Sequence, residues 1–218
     1  MKFNAVLFDH DGTLVDSEAI HMQLWREVMT PYGVQISDAD YWEKMLGVPM
    51  EQSAAELIDL HRLNTSVELI SAAKNSANRA FLSNNCFPQI AGATEALKSL
   101  AARTRLALVS GSQRDCVEAS IRGHGWSSMF EQVVSGDDVE RNKPHPDSYL
   151  KALELMRQPA NASVAVEDTE TGVLAARAAG LEVIAIRSPL SASHDFSAAT
   201  AVVDSLSEAH QWLLARLA

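Results

Sequence analysis

The stretch "AVLFDHDGTLVDSE" (residues 5–18) decides how the chain folds. Ala5, Val6, Leu7 and Phe8 make a short unbroken apolar run, the pattern of a strand buried on both faces. The run ends at once on Asp9, His10, Asp11, Gly12 and Thr13. Carboxylates at the tip of a buried strand are costly unless a cation, a proton or several donors complete them. Residues two apart on an extended backbone point to the same side, so Asp9 and Asp11 are expected to face a common partner.

Runs of the same kind recur outward from this one: "RLALVS" (105–110), "EQVVS" (131–135), "ASVAVE" (162–167), "LEVIAI" (181–186) and "TAVVD" (200–204). Helical patterns separate most of them, for example "TEALKSLAAR" (94–103) and "DSYLKALELM" (147–156). Strands alternating with helices predict an α/β fold with a parallel sheet covered on both faces. Gly180 stops the helix "GVLAARAA", and Ser205 with Glu208 has capping-box spacing ahead of "EAHQWLLARL". Residues 16–84 break the rhythm and hold no convincing strand. Ile20, Leu24 and Val28 share a helical stripe flanked by Met22, Trp25 and Met29. Val67, Ile70, Lys74, Ala77 and Phe81 repeat at three- and four-residue steps, with Thr65 and Glu68 as a candidate cap. The expectation is a helical insertion, 16–84, in a core built from 1–15 and 85–218.

The 218 residues are 47% hydrophobic, enough for a sizeable core, and carry 28 acidic against 18 basic side chains. A formal net charge of −10 disfavours a general nucleic-acid binder and an anionic membrane surface. It leaves room for a small anionic substrate met by a metal and a lysine. Cys86 and Cys116 lack metal-ligand spacing and read as reduced thiols. "MKFNAVLF" reaches the acids too soon for a signal peptide, and no apolar run approaches the roughly 20 residues of a membrane span. A cytoplasmic location is expected. The sequence leaves open whether the chain is a monomer or a dimer.

Four polar clusters fall at or just beyond strand ends: "DHDGT" (9–13), "SGS" (110–112), "NKPHP" (142–146) and "EDTETG" (167–172). Each has an ordinary reading as a turn, a helix cap or a solvated loop. In an open parallel sheet, however, the carboxyl ends of strands share one edge, and ligands bind there. Four such clusters on one edge favour phosphoryl transfer. Asp9, Asp11, Glu167 and Asp168 would form the oxygen-rich site that Mg²⁺ prefers. Asp9 would attack phosphorus, and Asp11 would move the proton of the leaving oxygen and then of water. Ser110, Gly111 and the amides that follow would donate to an anion, and Lys143 would offset negative charge.

The set "FDHDGTLVDSE", "LVSGS", "NKPHPDSY" and "VEDTETGVLAARAAG" resembles the four motifs of the haloacid dehalogenase (HAD) superfamily. It is most similar to the branch with a helical cap that includes β-phosphoglucomutase and sugar-phosphate phosphatases. The resemblance implies a Rossmann-like core with an α-helical cap over 16–84 that closes on substrate. It implies Asp9 as the nucleophile of an aspartyl-phosphate, and Asp11 as acid/base with its backbone carbonyl on Mg²⁺. Ser110 and Lys143 would bind phosphate, and Glu167 with Asp168 the metal. His21 resembles a histidine at the cap hinge, and Gly47 lies in "LGVPM" (46–50), which resembles a substrate loop. His10 departs from the pattern, which is usually apolar there. The presence of Asp11 speaks against dehalogenation. A mutase of this branch carries an arginine near Met50, and a thioether cannot grip a second phosphate bidentately. Hydrolysis of a small phosphorylated metabolite, a sugar phosphate foremost, is the expectation. The alternatives are a phosphosugar mutase of the same fold and a non-enzymatic phosphoacceptor switch.

Overall fold

The computed structural model describes residues 2–46 and 48–217. In chain order the elements are β1 (Ala5–Phe8), α1 (Glu18–Met29), α2 (Asp38–Lys44), α3 (Met50–His61), α4 (Val67–Leu82), α5 (Ala93–Ala101), β2 (Arg105–Val109), α6 (Arg114–Gly123), β3 (Gln132–Val134), α7 (Asp147–Met156), β4 (Ser163–Glu167), α8 (Glu170–Ala178), β5 (Glu182–Ile186), β6 (Ala201–Val203) and α9 (Leu206–Leu217). The chain divides into two compact units, one of Met1–Asp16 with Cys86–Ala218 and one of Ser17–Asn85.

The first unit is an α/β fold around a six-stranded sheet in the order β3-β2-β1-β4-β5-β6, with every pairing parallel. This is the doubly wound arrangement expected from the alternating runs. Its two faces differ in side-chain size. Register aligns Ala107, Leu7, Ala165 and Val183 in one row, which packs with Tyr149, Ala152 and Met156 of α7 and with Val173, Ala175 and Ala176 of α8. The next row is Leu108, Phe8, Val166 and Ile184, bulky and fully buried. Burial of both rows explains why the strands read as continuous apolar runs. The edge strands β3 and β6 have three residues each, which limits the ladder they offer to another chain.

The second unit holds α1 to α4 and no strand among its described residues. Its core gathers Trp25, Val28 and Met29 of α1, Tyr41 of α2, Ala54 and Leu57 of α3 and Ile70 of α4. Of the two stripes read from the sequence, Leu24, Trp25, Val28, Met29, Ile70 and Lys74 are buried, while Ile20, Met22, Val67, Ala77 and Phe81 are only partly so. Two cap details differ from the sequence reading. α4 is capped by Ser66, whose Oγ accepts from the Leu69 amide at 3.4 Å, and not by Thr65. Ser66 has the extended backbone that an N-cap needs, at φ −120 and ψ 161. At α9, Ser205 accepts from the Glu208 amide at 3.2 Å, but Glu208 reaches past it to the Asp204 amide at 3.0 Å. Among the described residues no helix is long and apolar enough to cross a membrane.

Candidate active site

The carboxyl edge of the sheet carries the polar clusters because β1, β2 and β4 are parallel neighbours. Asp9 extends the ladder past β1 by donating its amide to Val166 O at 2.9 Å. Ser110 does the same past β2, donating to Val134 O at 2.9 Å. Glu167 ends β4, and Asp168 follows it.

Asp9, Glu167 and Asp168 each offer a carboxylate oxygen within 4.8 Å of the others. Lys143 lies across the group. Its Nζ donates to Asp9 Oδ1 at 2.5 Å, to Glu167 Oε1 at 2.6 Å and to Val109 O at 3.1 Å. The Lys143–Pro144 peptide is cis. Tyr149 from α7 donates its hydroxyl to Glu167 Oε1 at 2.6 Å, and its ring lies 5.2 Å from Lys143 Nζ. Thr13 Oγ1 reaches Asp168 Oδ1 at 3.5 Å.

Two glycines make room for these acids. A Cβ on Gly12, whose φ is +78, would lie 2.0 Å from Asp168 Oδ2, and one on Gly172 would lie 2.0 Å from Glu167 Oε2. Gly172 also gives its amide to Oγ1 of Thr169, the N-cap of α8, at 3.2 Å. The start of α8 thus packs its backbone onto the carboxylate that ends β4.

Burial dominates the electrostatics. It pushes the Asp9 carboxyl up to about 7; Lys143 opposes the rise, while Glu167 and Asp11 add to it. Burial, Asp9 and Glu167 likewise hold Asp168 well above the carboxylate range. Lys143 resists the downward push of burial, because Asp9 and Glu167 keep it above the usual lysine value. One lysine cannot neutralise three carboxylates, of which Asp9 and Glu167 are buried and Asp168 partly so. A hard divalent cation fits this oxygen-only donor set, and Asp9, Glu167 and Asp168 are the side chains that could hold it.

Asp11 lies outside that triplet. Its Oδ2 accepts from Ser112 Oγ at 2.8 Å, from Ser110 Oγ at 3.2 Å and from the buried ring of His10, whose Nδ1 is 3.1 Å away. Burial pushes the His10 imidazole down, but Asp11 foremost, and Asp9 with it, hold it above its ordinary value. Ser110 Oγ also accepts from the Ser112 amide at 2.9 Å, and Gly111 O would lie 2.2 Å from a Cβ on Gly136. The "SGS" turn is therefore locked to the segment after β3.

The sequence reading did not assign roles to Tyr149, Ser112 or Thr13. Tyr149 stands in the quoted "NKPHPDSY", but only the approach of α7 to β4 reveals its partner. In the second unit, His21 Nδ1 lies 3.4 Å from Lys74 Nζ, which donates to Asn78 Oδ1 at 2.9 Å and sits 5.6 Å from the Trp25 ring centre. Gly47 lies outside the described residues.

Comparison with known proteins identifies the family. Residues 6–186 match the family model described as haloacid dehalogenase-like hydrolase. The chain is 31% identical over 186 residues to the fructose-1-phosphate phosphatase YqaB of Escherichia coli, covering 85% of this chain and 97% of that protein. It is 32% identical over 185 residues to the phosphorylated carbohydrates phosphatase of Thermotoga maritima, covering 83% of each. Among solved structures, CbbY from Rhodobacter sphaeroides in complex with phosphate superposes with a TM-score of 0.80 at 27% identity, covering 94% of this chain and 96% of the other. The matched span runs from β1 through the acids of β4 to the end of β5, and on that ground the chain belongs to the haloacid dehalogenase-like hydrolases.

Proposed function

We propose that the protein is a Mg²⁺-dependent phosphatase of small phosphorylated sugars that works through an aspartyl-phosphate on Asp9. The observation that carries the reading is the convergence of Asp9, Glu167 and Asp168 within 4.8 Å, with Lys143 across them, at the carboxyl edge of the sheet. The activities named for its relatives, on fructose 1-phosphate and on phosphorylated carbohydrates, point to the substrate class.

In this reading Asp9 Oδ attacks phosphorus and Asp11 gives a proton to the departing alkoxide, so the P–O ester bond breaks as the acyl phosphate forms. Asp11 then takes a proton from water, which attacks phosphorus and restores the Asp9 carboxylate. Lys143 holds Asp9 aligned and offsets charge on the phosphoryl oxygens, while Ser110 and the amides after it donate to them. The backbone carbonyl of Asp11 would join Asp9, Glu167 and Asp168 around Mg²⁺, which when bound supplies Lewis-acid stabilisation of the phosphoryl charge. Tyr149 and Gly172 keep Glu167 in place. The unit Ser17–Asn85 would act as a cap that excludes water and selects the leaving group, with His21 and Gly47 as candidate contacts.

The test is release of inorganic phosphate across a panel of sugar phosphates, polyol phosphates, phosphoglycolate and p-nitrophenyl phosphate, with Mg²⁺ and with a chelator. Release from a sugar phosphate that needs Mg²⁺ and disappears in Asp9→Asn is expected. No release from any ester at saturating Mg²⁺ would refute the reading.

A further inference from the structure

We propose that His10 is the positioning residue for Asp11, fixing the rotation of the carboxyl group that serves the leaving group. This rests on the role of Asp11 set out above. His10 is fully buried, and its Nδ1 stands 3.1 Å from Asp11 Oδ2. Its Nε2 is also buried and has no hydrogen-bond partner among the described residues. A carboxylate only accepts, so Nδ1–H points at Asp11 in the neutral tautomer and in the imidazolium alike. The bond is therefore present in either protonation state of the ring.

Oδ2 receives two further donors, the hydroxyls of Ser112 at 2.8 Å and Ser110 at 3.2 Å. An oxygen that accepts three hydrogen bonds is a poor seat for a proton, so these donors keep Oδ2 an acceptor and set the rotation of the carboxyl group. The three donors are not equivalent. Ser110 and Ser112 belong to the turn that offers donors to a phosphate, so an incoming phosphoryl group competes for their hydroxyls. His10 is outside that turn and sealed from solvent, so it cannot be drawn to the substrate. Its bond is the one that persists through turnover and keeps Asp11 from rotating.

The consequence is selective. Proton delivery matters for an alkyl ester, whose alkoxide is a poor leaving group, and hardly for p-nitrophenyl phosphate, whose phenolate departs without a proton. In kcat/KM, which reports events up to leaving-group departure, His10→Leu is expected to lose at least about tenfold more on the best alkyl phosphate of the panel than on p-nitrophenyl phosphate. The aryl ester serves as the control for folding and for the Asp9 nucleophile. His10→Asn, whose amide nitrogen can stand where Nδ1 does, should recover most of the alkyl activity. Equal losses on both esters, or an Asn variant no better than Leu, would overturn the inference and leave the phosphatase reading intact. A wild-type protein inactive on both esters would instead defeat that reading, and the inference with it.

Discussion

Asp9 and Asp11 stand two residues apart on one loop, yet their surroundings are opposite. Asp9 sits in a pocket of like charge, crowded by Glu167 and Asp168 and tied down by Lys143. Asp11 turns its Oδ2 to three donors, Ser110, Ser112 and His10, while its charge still acts on Asp9. The first setting stores unbalanced negative charge and calls for a cation. The second holds a carboxyl group in a set orientation and suits it to proton transfer. One short loop can supply both because its neighbours differ: β4 lies on one side of β1 and β2 on the other.

The largest expected effect tests the Asp9 side. Asp9→Asn keeps the shape of the site and removes the proposed nucleophile, so turnover should fall by more than about 10³-fold, or about 4 kcal/mol of barrier. Phosphate release under saturating Mg²⁺ measures it. If Asp9→Asn were no worse than Asp11→Asn, the division of labour between the two acids would be wrong. Next comes the counter-charge. Lys143→Met leaves the buried Asp9 and Glu167 and the partly buried Asp168 facing one another and should cost about 3 kcal/mol of stability in chelator. Urea denaturation with and without Mg²⁺ would show this, and the deficit should shrink when Mg²⁺ is added.

A smaller effect tests the cradle. Gly172→Ala drives a methyl group into the Glu167 carboxylate, where the nearest oxygen would be 2.0 Å away. The collision involves a side chain already fixed by Lys143 and Tyr149, so relief requires α8 to move. A loss of about 2 kcal/mol is expected, together with weaker Mg²⁺ activation. An Ala variant with unchanged stability and unchanged Mg²⁺ response would mean that Glu167 is not held as the contacts suggest.

These contrasts also show what the sequence made legible. The sheet was readable because strands buried on both faces are apolar at every position, and Leu7 and Phe8 face opposite layers without a polar break. The convergence of the polar clusters followed from the same fact, since parallel strands bring their carboxyl ends to one edge. The supports were hidden. Tyr149 meets Glu167, and Gly172 clears it, only because α7 and α8 dock on the row that contains Ala107 and Ala165. No spacing along the chain encodes that approach. His10 stood out as a polar residue in an apolar place, but its partner depended on which way the Asp11 carboxyl turned. Ser66 caps α4 with an extended backbone and a bond from the Leu69 amide, which two adjacent hydroxyl residues in a sequence do not reveal.

The smallest expected effect lies just outside both acid settings, in the turn that follows β3 and helps fix the "SGS" loop. Asp138 accepts from the Ser135 amide at 2.8 Å, from its hydroxyl at 2.8 Å and from the Arg114 guanidinium. Burial pushes this carboxyl up, but those donors and the Arg114 charge prevail and hold it below its ordinary value of 3.8. A carboxyl group depressed in the folded state stabilises it fully above the unfolded value and loses that contribution as pH falls through the folded one. Asp138→Asn should therefore cost about 1 kcal/mol at pH 7, and the gap from wild type should narrow as the pH drops below 3.8. Urea denaturation of both proteins at pH 7 and at a pH just below that value checks the sign. Because Gly136 donates its amide to Ser112 O at 2.8 Å, the same variant should also loosen the loop that presents Ser110 and Ser112 to Asp11. A destabilised Asp138→Asn protein with the wild-type ratio of alkyl to aryl ester activity would show that the Asp11 setting is anchored from His10 rather than from this turn.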